Sequence, residues 1–549
     1  MTAKPQANDC VDSVGEALGA LSSVVGVEHV CADGGTLDRY GRSGMPEGTM
    51  PMAVVSPGST QQVRRVVEIA GRFGLKLYPI SRGKNWGYGA ACAPTPGQVI
   101  VDLGRMNRVL EVDRELAYAV IEPGVTQGQL WEHLQHHAPD LWMDATGAGP
   151  EASVVGNTLD RGFGHTRYGD HFLHTCGMEV VLADGRVLNT GYGHYANAKA
   201  GRVYRYGVGP SLDGLFAQSN FGIVTRIGIW LIPRPEAFCG YFFQSQREED
   251  LERLVDAMAA LRRQGLLQTA IHIANDLRVI SSRTRYPWQR TGGRTPLPEE
   301  VRAALRREYG IGAWSGCGAI SGTRGSVAAV KKAVKGALRG FEVKFLDDGR
   351  LAMARRLRRW LSAVGIGGRF GALLDVVEPL YGLLQGRPSI EHLRGAAWRV
   401  RGEVAGLGEE DGALAIDPLD CHAGLMWVSP VAPAKGTSAR EVMRLIEPIY
   451  QRYGFEALVT FTIITERAMC CVTNLAFDKR DTEETARAGR CYDTLMTVLI
   501  DAGYVPYRTS VHGARKLGRG SSVFWDVRSQ LKRAMDPRGI LAPGRYEPQ

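Results

Sequence analysis

A glycine-rich stretch, 79–90, carries the residues best suited to bind a phosphate. It reads Pro-Ile-Ser-Arg-Gly-Lys-Asn-Trp-Gly-Tyr-Gly-Ala and follows an apolar segment typical of a β-strand. Its glycines let the backbone turn tightly and bring N–H groups close to a ligand, and such a nest beside a basic side chain suits a pyrophosphate. The stretch fits neither the phosphate loop GxxxxGK[ST] nor the dinucleotide fingerprint GxGxxG. A plain turn is the alternative interpretation.

Alternating strands and helices position this stretch. A helix is predicted over 60–73, where valines recur at helical spacing, between strands over 53–57 and 75–80. A long strand over 222–233 ends at Pro-Arg-Pro235, which marks a domain boundary. Amphipathic helices and strands are mixed beyond it, so the predicted fold class is α+β.

Composition excludes several classes of function. The 549 residues suffice for two domains or more. The net charge of +9 is scattered, without the aromatic and basic interleaving of nucleic-acid sites. The ten cysteines form no CxxC pair, which favours reduced thiols and no metal site. The N-terminus has no apolar leader, and no apolar run is long enough to span a membrane. We therefore expect a cytoplasmic protein that binds neither nucleic acid nor membrane.

Further landmarks follow the glycine-rich stretch in a fixed order. They are the segments 120–126 (VIEPGVT), 156–162 (GNTLDRG), 168–171 (YGDH), 177–185 (GMEVVLADG), 213–225 (DGLFAQSNFGIVT), 506–509 (PYRT) and 536–544 (DPRGILAPG). This ordered set closely resembles the vanillyl-alcohol oxidase and para-cresol methylhydroxylase family of flavoproteins, in the branch that oxidises para-substituted phenols. The resemblance spans nearly the whole chain and is loosest over about 245–420.

The resemblance implies a two-subdomain FAD-binding domain over 1–235, completed by 502–549, and an α+β cap domain over 236–501 that shapes the substrate pocket. The glycine-rich stretch then wraps the pyrophosphate of FAD. The residues expected to bind the cofactor are Ser81, Arg82, Gly83, Lys84, Asn85, Gly87, Tyr88, Ser153, Gly156, Asn157, Gly222, Ile223, Val224 and Arg545.

Members of this branch hold the substrate as a phenolate between two tyrosines and an arginine. The matching positions are Tyr88, Tyr507 and Arg508. The choice is chemically sensible, because an ionised para oxygen supplies electrons as hydride leaves the benzylic carbon for flavin N5. Arginine keeps its charge and makes directed hydrogen bonds to an oxyanion. The alternative is that Tyr507 and Arg508 end an exposed strand while Tyr88 packs against the cap.

Two further residues are candidates for proton transfer. Relatives like vanillyl-alcohol oxidase carry an aspartate near flavin N5, and the matching place here is Gly147 or its neighbour. Glu151 is the nearest carboxylate and a candidate base for water attack on a quinone methide, or else a helix N-terminal charge. His165 stands where relatives often have an aromatic residue, as a proton relay or as a packed histidine.

The mode of flavin attachment is predicted from the cap. Many relatives tether FAD through a His or Tyr, and that position falls here on Leu425, three residues after His422. Leucine cannot form the bond, so we expect FAD to be held noncovalently. The predicted substrate-pocket residues are Trp427, Ala457, Cys470 and Val472, with Ala457 giving extra room. A cysteinyl flavin at Cys470 or Cys471 is the lesser alternative.

The predicted function is an FAD-dependent oxidoreductase that acts on the benzylic carbon of a 4-substituted phenol, by hydroxylation, alcohol oxidation or desaturation. The alternatives are a flavin-dependent oxidase of a non-phenolic alcohol and a non-catalytic flavin-binding partner protein. The expected partners are a phenolic substrate, oxygen or an electron-accepting protein, and a second copy of the chain in a homodimer.

Overall fold

The computed structural model describes residues 7–363, 368–402, 404, 417–518 and 522–547, and the N-terminal residues used for the leader prediction lie outside these ranges. Within the described residues the α-helices are α1 (Ala7–Val25), α2 (Gly34–Gly41), α3 (Thr60–Phe73), α4 (Gln127–His137), α5 (Val154–Leu159), α6 (Leu251–Arg263), α7 (Asp276–Arg283), α8 (Trp288–Thr291), α9 (Glu299–Tyr309), α10 (Arg324–Ala337), α11 (Asp348–Ala363), α12 (Gly368–Leu384), α13 (Gly436–Arg452), α14 (Thr482–Asp501) and α15 (Ser522–Met535).

The strands over the same ranges are β1 (Val30–Cys31), β2 (Ala53–Val55), β3 (Leu77–Ile80), β4 (Val99–Asp102), β5 (Val109–Asp113), β6 (Tyr118–Ile121), β7 (Leu141–Trp142), β8 (Thr175–Val181), β9 (Val187–Asn189), β10 (Ile223–Trp230), β11 (Ile232–Pro233), β12 (Ala237–Ser245), β13 (Ile271–Asn275), β14 (Trp314–Gly322), β15 (Glu342–Leu346), β16 (Ala423–Val428), β17 (Val431–Pro433), β18 (Leu458–Ile463) and β19 (Ala468–Asp478).

Two larger sheets and the two-stranded pair of β7 with β11 lie in the first part of the molecule. A four-stranded sheet has the order β1-β2-β4-β3, with β2 and β3 both parallel to β4. A five-stranded antiparallel sheet has the order β5-β6-β10-β8-β9. β3 includes the first two residues of the glycine-rich stretch, 79–90, and ends at Ile80. The rest of the stretch therefore leaves the sheet at the C-terminal end of this strand.

Helix α3 shows how local sequence builds this part. The Ser59 side chain accepts a hydrogen bond from the Gln62 amide and begins the helix, and Gly74 ends it in the left-handed conformation at φ 70°. Val63, Val66 and Val67 are buried against the four-stranded sheet's core. The predicted helix over 60–73 is therefore confirmed.

The cap contains an eight-stranded sheet with the order β15-β12-β14-β13-β18-β19-β16, and β17 pairs with β19. Side chains alternate between its faces, as the pleat requires. On β18, Val459 and Phe461 pack into the large core cluster with α6 and α13, whereas Thr460 and Thr462 line a cavity on the opposite face. One face of the sheet therefore supports the fold and the other is free for a ligand.

The C-terminal tail returns to the first sheet. The Leu77 amide donates to the Ile540 carbonyl at 2.8 Å, and the Ala542 amide donates to the Leu77 carbonyl at 2.7 Å. The tail thus extends the sheet beside β3, whereas the eight-stranded sheet uses strands only from 237–478 in the described chain. We retain the division into 1–235 with 502–549 and 236–501 as our proposal for the domains. Among the described residues no helix is both long and apolar enough to cross a membrane.

Candidate active site

A cavity of about 980 Å³ lies between the two small sheets and the eight-stranded sheet. Its walls come from the glycine-rich stretch, from 146–165 and 216–224, from the cap strands β13, β18, β19 and β16, and from the tail. It takes in most of the residues predicted for the cofactor: Ser81, Arg82, Gly83, Lys84, Asn85, Tyr88, Ser153, Gly156, Asn157, Gly222, Ile223, Val224 and Arg545.

The glycine-rich stretch offers unused backbone donors to this cavity. Gly83 has φ +63°, a turn that disfavours other residues. The amides of Gly83, Lys84 and Asn85 donate no hydrogen bond within the part of the chain that the structure describes. These residues are half-buried in the cavity wall, and a row of unpaired amides in such a turn forms a nest that fits an anionic ligand.

A helix begins directly opposite these donors. The Ser153 side chain accepts a hydrogen bond from the Gly156 amide at 2.9 Å and begins α5. A Cβ at Gly156 would lie only 3.2 Å from Ser81 Oγ, so glycine permits the close approach of helix and loop. The side-chain oxygen of Ser219, also in the cavity wall, is buried without a hydrogen-bond partner among the described residues. Loop, helix and free hydroxyl together fit the phosphates and polar edges of a dinucleotide.

Asp160 is a buried carboxylate that joins three parts of this wall, and sequence reasoning missed it. It accepts hydrogen bonds from Arg545 at 2.6 Å, Tyr546 at 2.8 Å and Asn85 at 3.1 Å. Arg508 Nη1 lies 3.6 Å from Asp160 Oδ2, which is also the oxygen that accepts from Asn85. Burial works against the charge, but Arg545 and Arg508 hold the pKa of Asp160 below its ordinary value. Asp160 therefore stays ionised and fixes the two cations.

Tyr88, Tyr507 and Arg508 meet at one end of the cavity. The guanidinium carbon of Arg508 lies 3.9 Å from the Tyr88 ring centre and 5.3 Å from that of Tyr507. The Tyr88 hydroxyl lies 3.1 Å from Ser429 Oγ, just past β16, and the Tyr507 amide donates to the Ser429 carbonyl at 3.2 Å. The exposed strand end of the alternative is wrong for Arg508, whose side chain is only 13% exposed, whereas Tyr88 is buried and does contact the cap through Ser429.

The charges of this trio suit an incoming oxyanion. Burial raises the pKa of the Tyr507 hydroxyl well above its ordinary value, against the opposite effect of Arg508, so the hydroxyl keeps its proton. Burial lowers the pKa of Arg508, but Tyr507, Tyr88 and Asp160 more than compensate and raise it overall. The site therefore offers one permanent cation beside a protonated phenol donor.

Three histidines line the neighbouring wall, and only His165 was predicted. The His165 ring centre lies 4.4 Å from that of His272 and 6.5 Å from that of His392. His165 Nδ1 lies 3.2 Å from the Ala145 carbonyl, and His272 Nδ1 lies 3.0 Å from Thr462 Oγ1. Burial lowers the pKa of all three imidazoles, that of His392 to about 3, so all are neutral at pH 7.

Glu151 is not where a base for the reaction would be. Its side chain is 61% exposed and pairs with Arg82 at 3.1 Å on the outside of the cavity. Gly147 does line the cavity, where an added Cβ would lie 3.4 Å from His392 Cβ. His392 therefore packs against Gly147, the position that matches the aspartate of relatives.

Three other predicted residues lie behind the cavity wall. Ala457 packs into the core cluster of the cap, because alternate residues of a strand share a face and Val459 and Phe461 lie on the core face. Cys470 is buried beneath Ser429, whose carbonyl lies 3.5 Å from its Sγ. A Cβ on Gly87 would collide with Trp427 at 2.3 Å, so Gly87 allows the loop to pack on β16.

The structure also places the remaining residues that were predicted in the cap. Trp427 and Val472 line the cavity, as does Leu425 at the predicted tether position. His422 is exposed and lies outside the cavity wall, with φ 58°. Neither residue therefore offers a nucleophile to a flavin.

Two polar residues of the cap wall went unrecognised in the sequence. Arg278 in the first turn of α7 donates to Asn474 on β19 at 3.0 Å, and both line the cavity. The weak signal was the polar Asn474 within the largely apolar segment 468–477, and no helix was predicted at Arg278.

Comparison with known proteins agrees with this geometry. Residues 51–191 match the family described as an FAD binding domain. A 1'-carboxy-chondrochloren decarboxylase from Chondromyces crocatus is 36% identical over 97% of either chain. The flavoprotein subunit of a hydroxylating 4-cresol dehydrogenase from Pseudomonas putida is 31% identical over 96% of this chain and 95% of that one. The crystal structure of p-cresol methylhydroxylase with substrate bound has a TM-score of 0.86 and 29% identity, over 98% of this chain and 97% of that one.

The family match and the relatives show that this chain is an FAD flavoprotein. The chain belongs to the vanillyl-alcohol oxidase and para-cresol methylhydroxylase family, and it is an FAD-dependent oxidoreductase of that family with the corresponding FAD-binding fold.

Proposed function

We propose that this chain oxidises the benzylic carbon of a 4-substituted phenol. The observation that carries the proposal is the convergence of Arg508, Tyr88 and Tyr507 on one end of the cavity. A relative whose name concerns 4-cresol supports the phenolic substrate class. An alcohol without a para oxygen leaves this cation without a ligand, which argues against the non-phenolic alternative.

In this proposal the substrate oxygen is bound as a phenolate by the Arg508 guanidinium and the two tyrosine hydroxyls. The phenolate pushes electrons through the ring as the benzylic C–H bond breaks, and the hydrogen leaves with its electron pair. Bound FAD supplies the acceptor for that hydride. The organic product of this step is a para-quinone methide. Fixed donors at the oxygen stabilise the charge without reorganising during the reaction.

The neutral histidines have a separate part in the proposal. Nε2 of His272 and Nε2 of His392 have no hydrogen-bond partner among the described residues, and both rings line the cavity. A neutral imidazole can accept a hydrogen bond from water that adds to the quinone methide. Because burial lowers their pKa values, these rings orient water rather than retain a proton.

Anaerobic mixing of the FAD-loaded protein with 4-ethylphenol tests the proposal. We expect the flavin absorbance near its long-wavelength maximum to bleach as hydride is transferred. No bleaching with a broad panel of 4-alkylphenols would contradict the proposal and favour the non-catalytic flavin-binding alternative. Readmission of oxygen then separates an oxidase from an enzyme that needs a protein electron acceptor, because only the oxidase recovers its colour rapidly.

A further inference from the structure

A second cation, Arg278, lines the cap wall of the same cavity. Its Nη1 donates to Asn474 Oδ1 at 3.0 Å, and its guanidinium carbon lies 5.3 Å from the Trp427 ring centre. Among the described residues no carboxylate forms an ion pair with it. Burial lowers the pKa of Arg278 to about 10, so the side chain is charged at neutral pH.

Two other arginines with little exposed surface are neutralised by carboxylates, whereas the buried Arg262 donates to three backbone carbonyls. Arg399 lies 3.1 Å from Glu456 and 2.8 Å from Glu484, and Arg302 lies 2.7 Å from Asp276. A desolvated charge without such a partner is costly, and proteins that retain one commonly use it to bind an anion. Arg278 differs from these three because it lines the cavity and its side-chain neighbours there, Asn474 and Trp427, are uncharged.

Asn474 shows what kind of ligand fits. Since its Oδ1 accepts from Arg278, its Nδ2 is the atom that is buried without a partner. The free groups here are therefore donors, a guanidinium and an amide N–H. An acceptor-only group such as a carboxylate satisfies both. The single charge favours a carboxylate over a phosphate, because the neighbouring His392 is neutral.

The strand register sets the distance from the phenolate site. Asn474 pairs with Trp427 on β16. Ser429, which contacts the Tyr88 hydroxyl, lies two residues further along, on the order of 7 Å by the strand rise. A phenol anchored at Arg508 therefore brings the end of a short side chain to Arg278.

We propose that Arg278 and Asn474 bind a carboxylate on the side chain of the phenolic substrate. The substrate class is then a 4-hydroxyphenyl compound with an acidic side chain. This inference rests on the proposed function, because it needs the phenol oxygen at Arg508.

The test compares two ligands that differ only in charge. The FAD-loaded protein is titrated with 3-(4-hydroxyphenyl)propanoate and with its neutral amide, and binding is measured by the change in flavin absorbance and by calorimetry. A hydrogen bond between charged groups predicts that the carboxylate binds roughly 10- to 100-fold more tightly. Equal affinities, or no binding of the carboxylate, would overturn the inference.

Three variants make the result specific. Arg278→Gln should bring the ratio of the two affinities close to one. Arg278→Lys keeps the positive charge and should retain most of the preference for the carboxylate. Asn474→Asp supplies an internal carboxylate to Arg278 and should also abolish the preference. A preference that survives both Arg278→Gln and Asn474→Asp would overturn the assignment. Bleaching by 4-ethylphenol is read separately, so failure of the proposed function is distinguishable from failure of this inference.

Discussion

The guanidinium carbon of Arg508 lies 3.9 Å from the centre of the Tyr88 ring. This stacking, within the range of a cation–π contact, joins a residue near the C-terminus to the glycine-rich stretch near the N-terminus. Asp160 restrains the same guanidinium from its other side at 3.6 Å. The cation is therefore positioned before any substrate arrives, as electrostatic preorganisation requires.

Replacement of Arg508 by alanine should slow flavin reduction by 4-ethylphenol roughly 10²- to 10³-fold, as for other lost donors to an oxyanion. The measurement is anaerobic stopped-flow absorbance at saturating phenol, with flavin content checked first. Arg508→Lys keeps the charge but not the paired donors, and it should recover only part of the rate. An unchanged rate in Arg508→Ala would exclude a phenolate held by this residue.

Replacement of Glu151 by glutamine should leave the rate of flavin reduction within about twofold of the original, because exposed ion pairs contribute little. The same stopped-flow assay measures this. A rate that fell by an order of magnitude would restore Glu151 as the base and contradict its position outside the cavity.

Val472 and Ala457 should respond differently to a larger side chain. Val472→Phe should change the preference among 4-alkylphenols, since Val472 lines the cavity. Ala457→Phe should lower stability by roughly 1–3 kcal/mol through overpacking of the core, with little change in preference. Relative rates with 4-methylphenol and 4-propylphenol, together with thermal midpoints, distinguish the two effects.

Acid precipitation should leave a colourless protein pellet and release FAD into the supernatant. Leu425 offers no nucleophile, and burial raises the pKa of the cavity-lining thiol of Cys317 to about 12, so no thiolate is present there at neutral pH. Flavin fluorescence of the washed, digested pellet is the measurement. A flavin peptide in that digest would contradict noncovalent attachment.

The buried histidines should make the protein less stable in acid. A histidine has an unfolded pKa of about 6.5, and burial lowers the folded pKa of His392 to about 3. The contribution of neutral His392 to the free energy of unfolding is present above pH 6.5. It is lost as pH falls toward 3, since the unfolded chain then binds more protons than the folded one. The thermal midpoint of His392→Gln should therefore fall less steeply between pH 6.5 and 4.5 than that of the original protein. Parallel pH profiles of the two proteins would contradict a buried neutral His392.

Local patterns predicted much of this structure. The valines of 60–73 specified α3, and at the start of α4 Thr126 and Gln129 form the capping box that a Thr-x-x-Gln sequence favours. The loop, Tyr88 and Arg508 could be assigned because short motifs kept their order along the chain. Each of these motifs is local, since none is longer than the 14 residues of α3.

The errors concern contacts between distant segments. His165, His272 and His392 come from separate elements, and no local pattern indicates that they meet. Ala457 was placed on the cavity side, but a shift of one residue reverses the face on which a strand side chain lies. Glu151 was chosen for its closeness in sequence to Gly147, although the chain turns at Gly149, with φ 81°, between them.

The alternation along β18 separates two kinds of evolutionary change. Thr460 and Thr462 line the cavity, where Thr462 also contacts His272, while Val459 and Phe461 pack into the core of the cap. Replacement of Thr460 can change which molecule the cavity accepts with little loss of stability, because Val459 and Phe461 still pack into the core. A combinatorial library confined to alternate positions of β18 and β19 should thus yield mostly folded proteins with diverged substrate ranges.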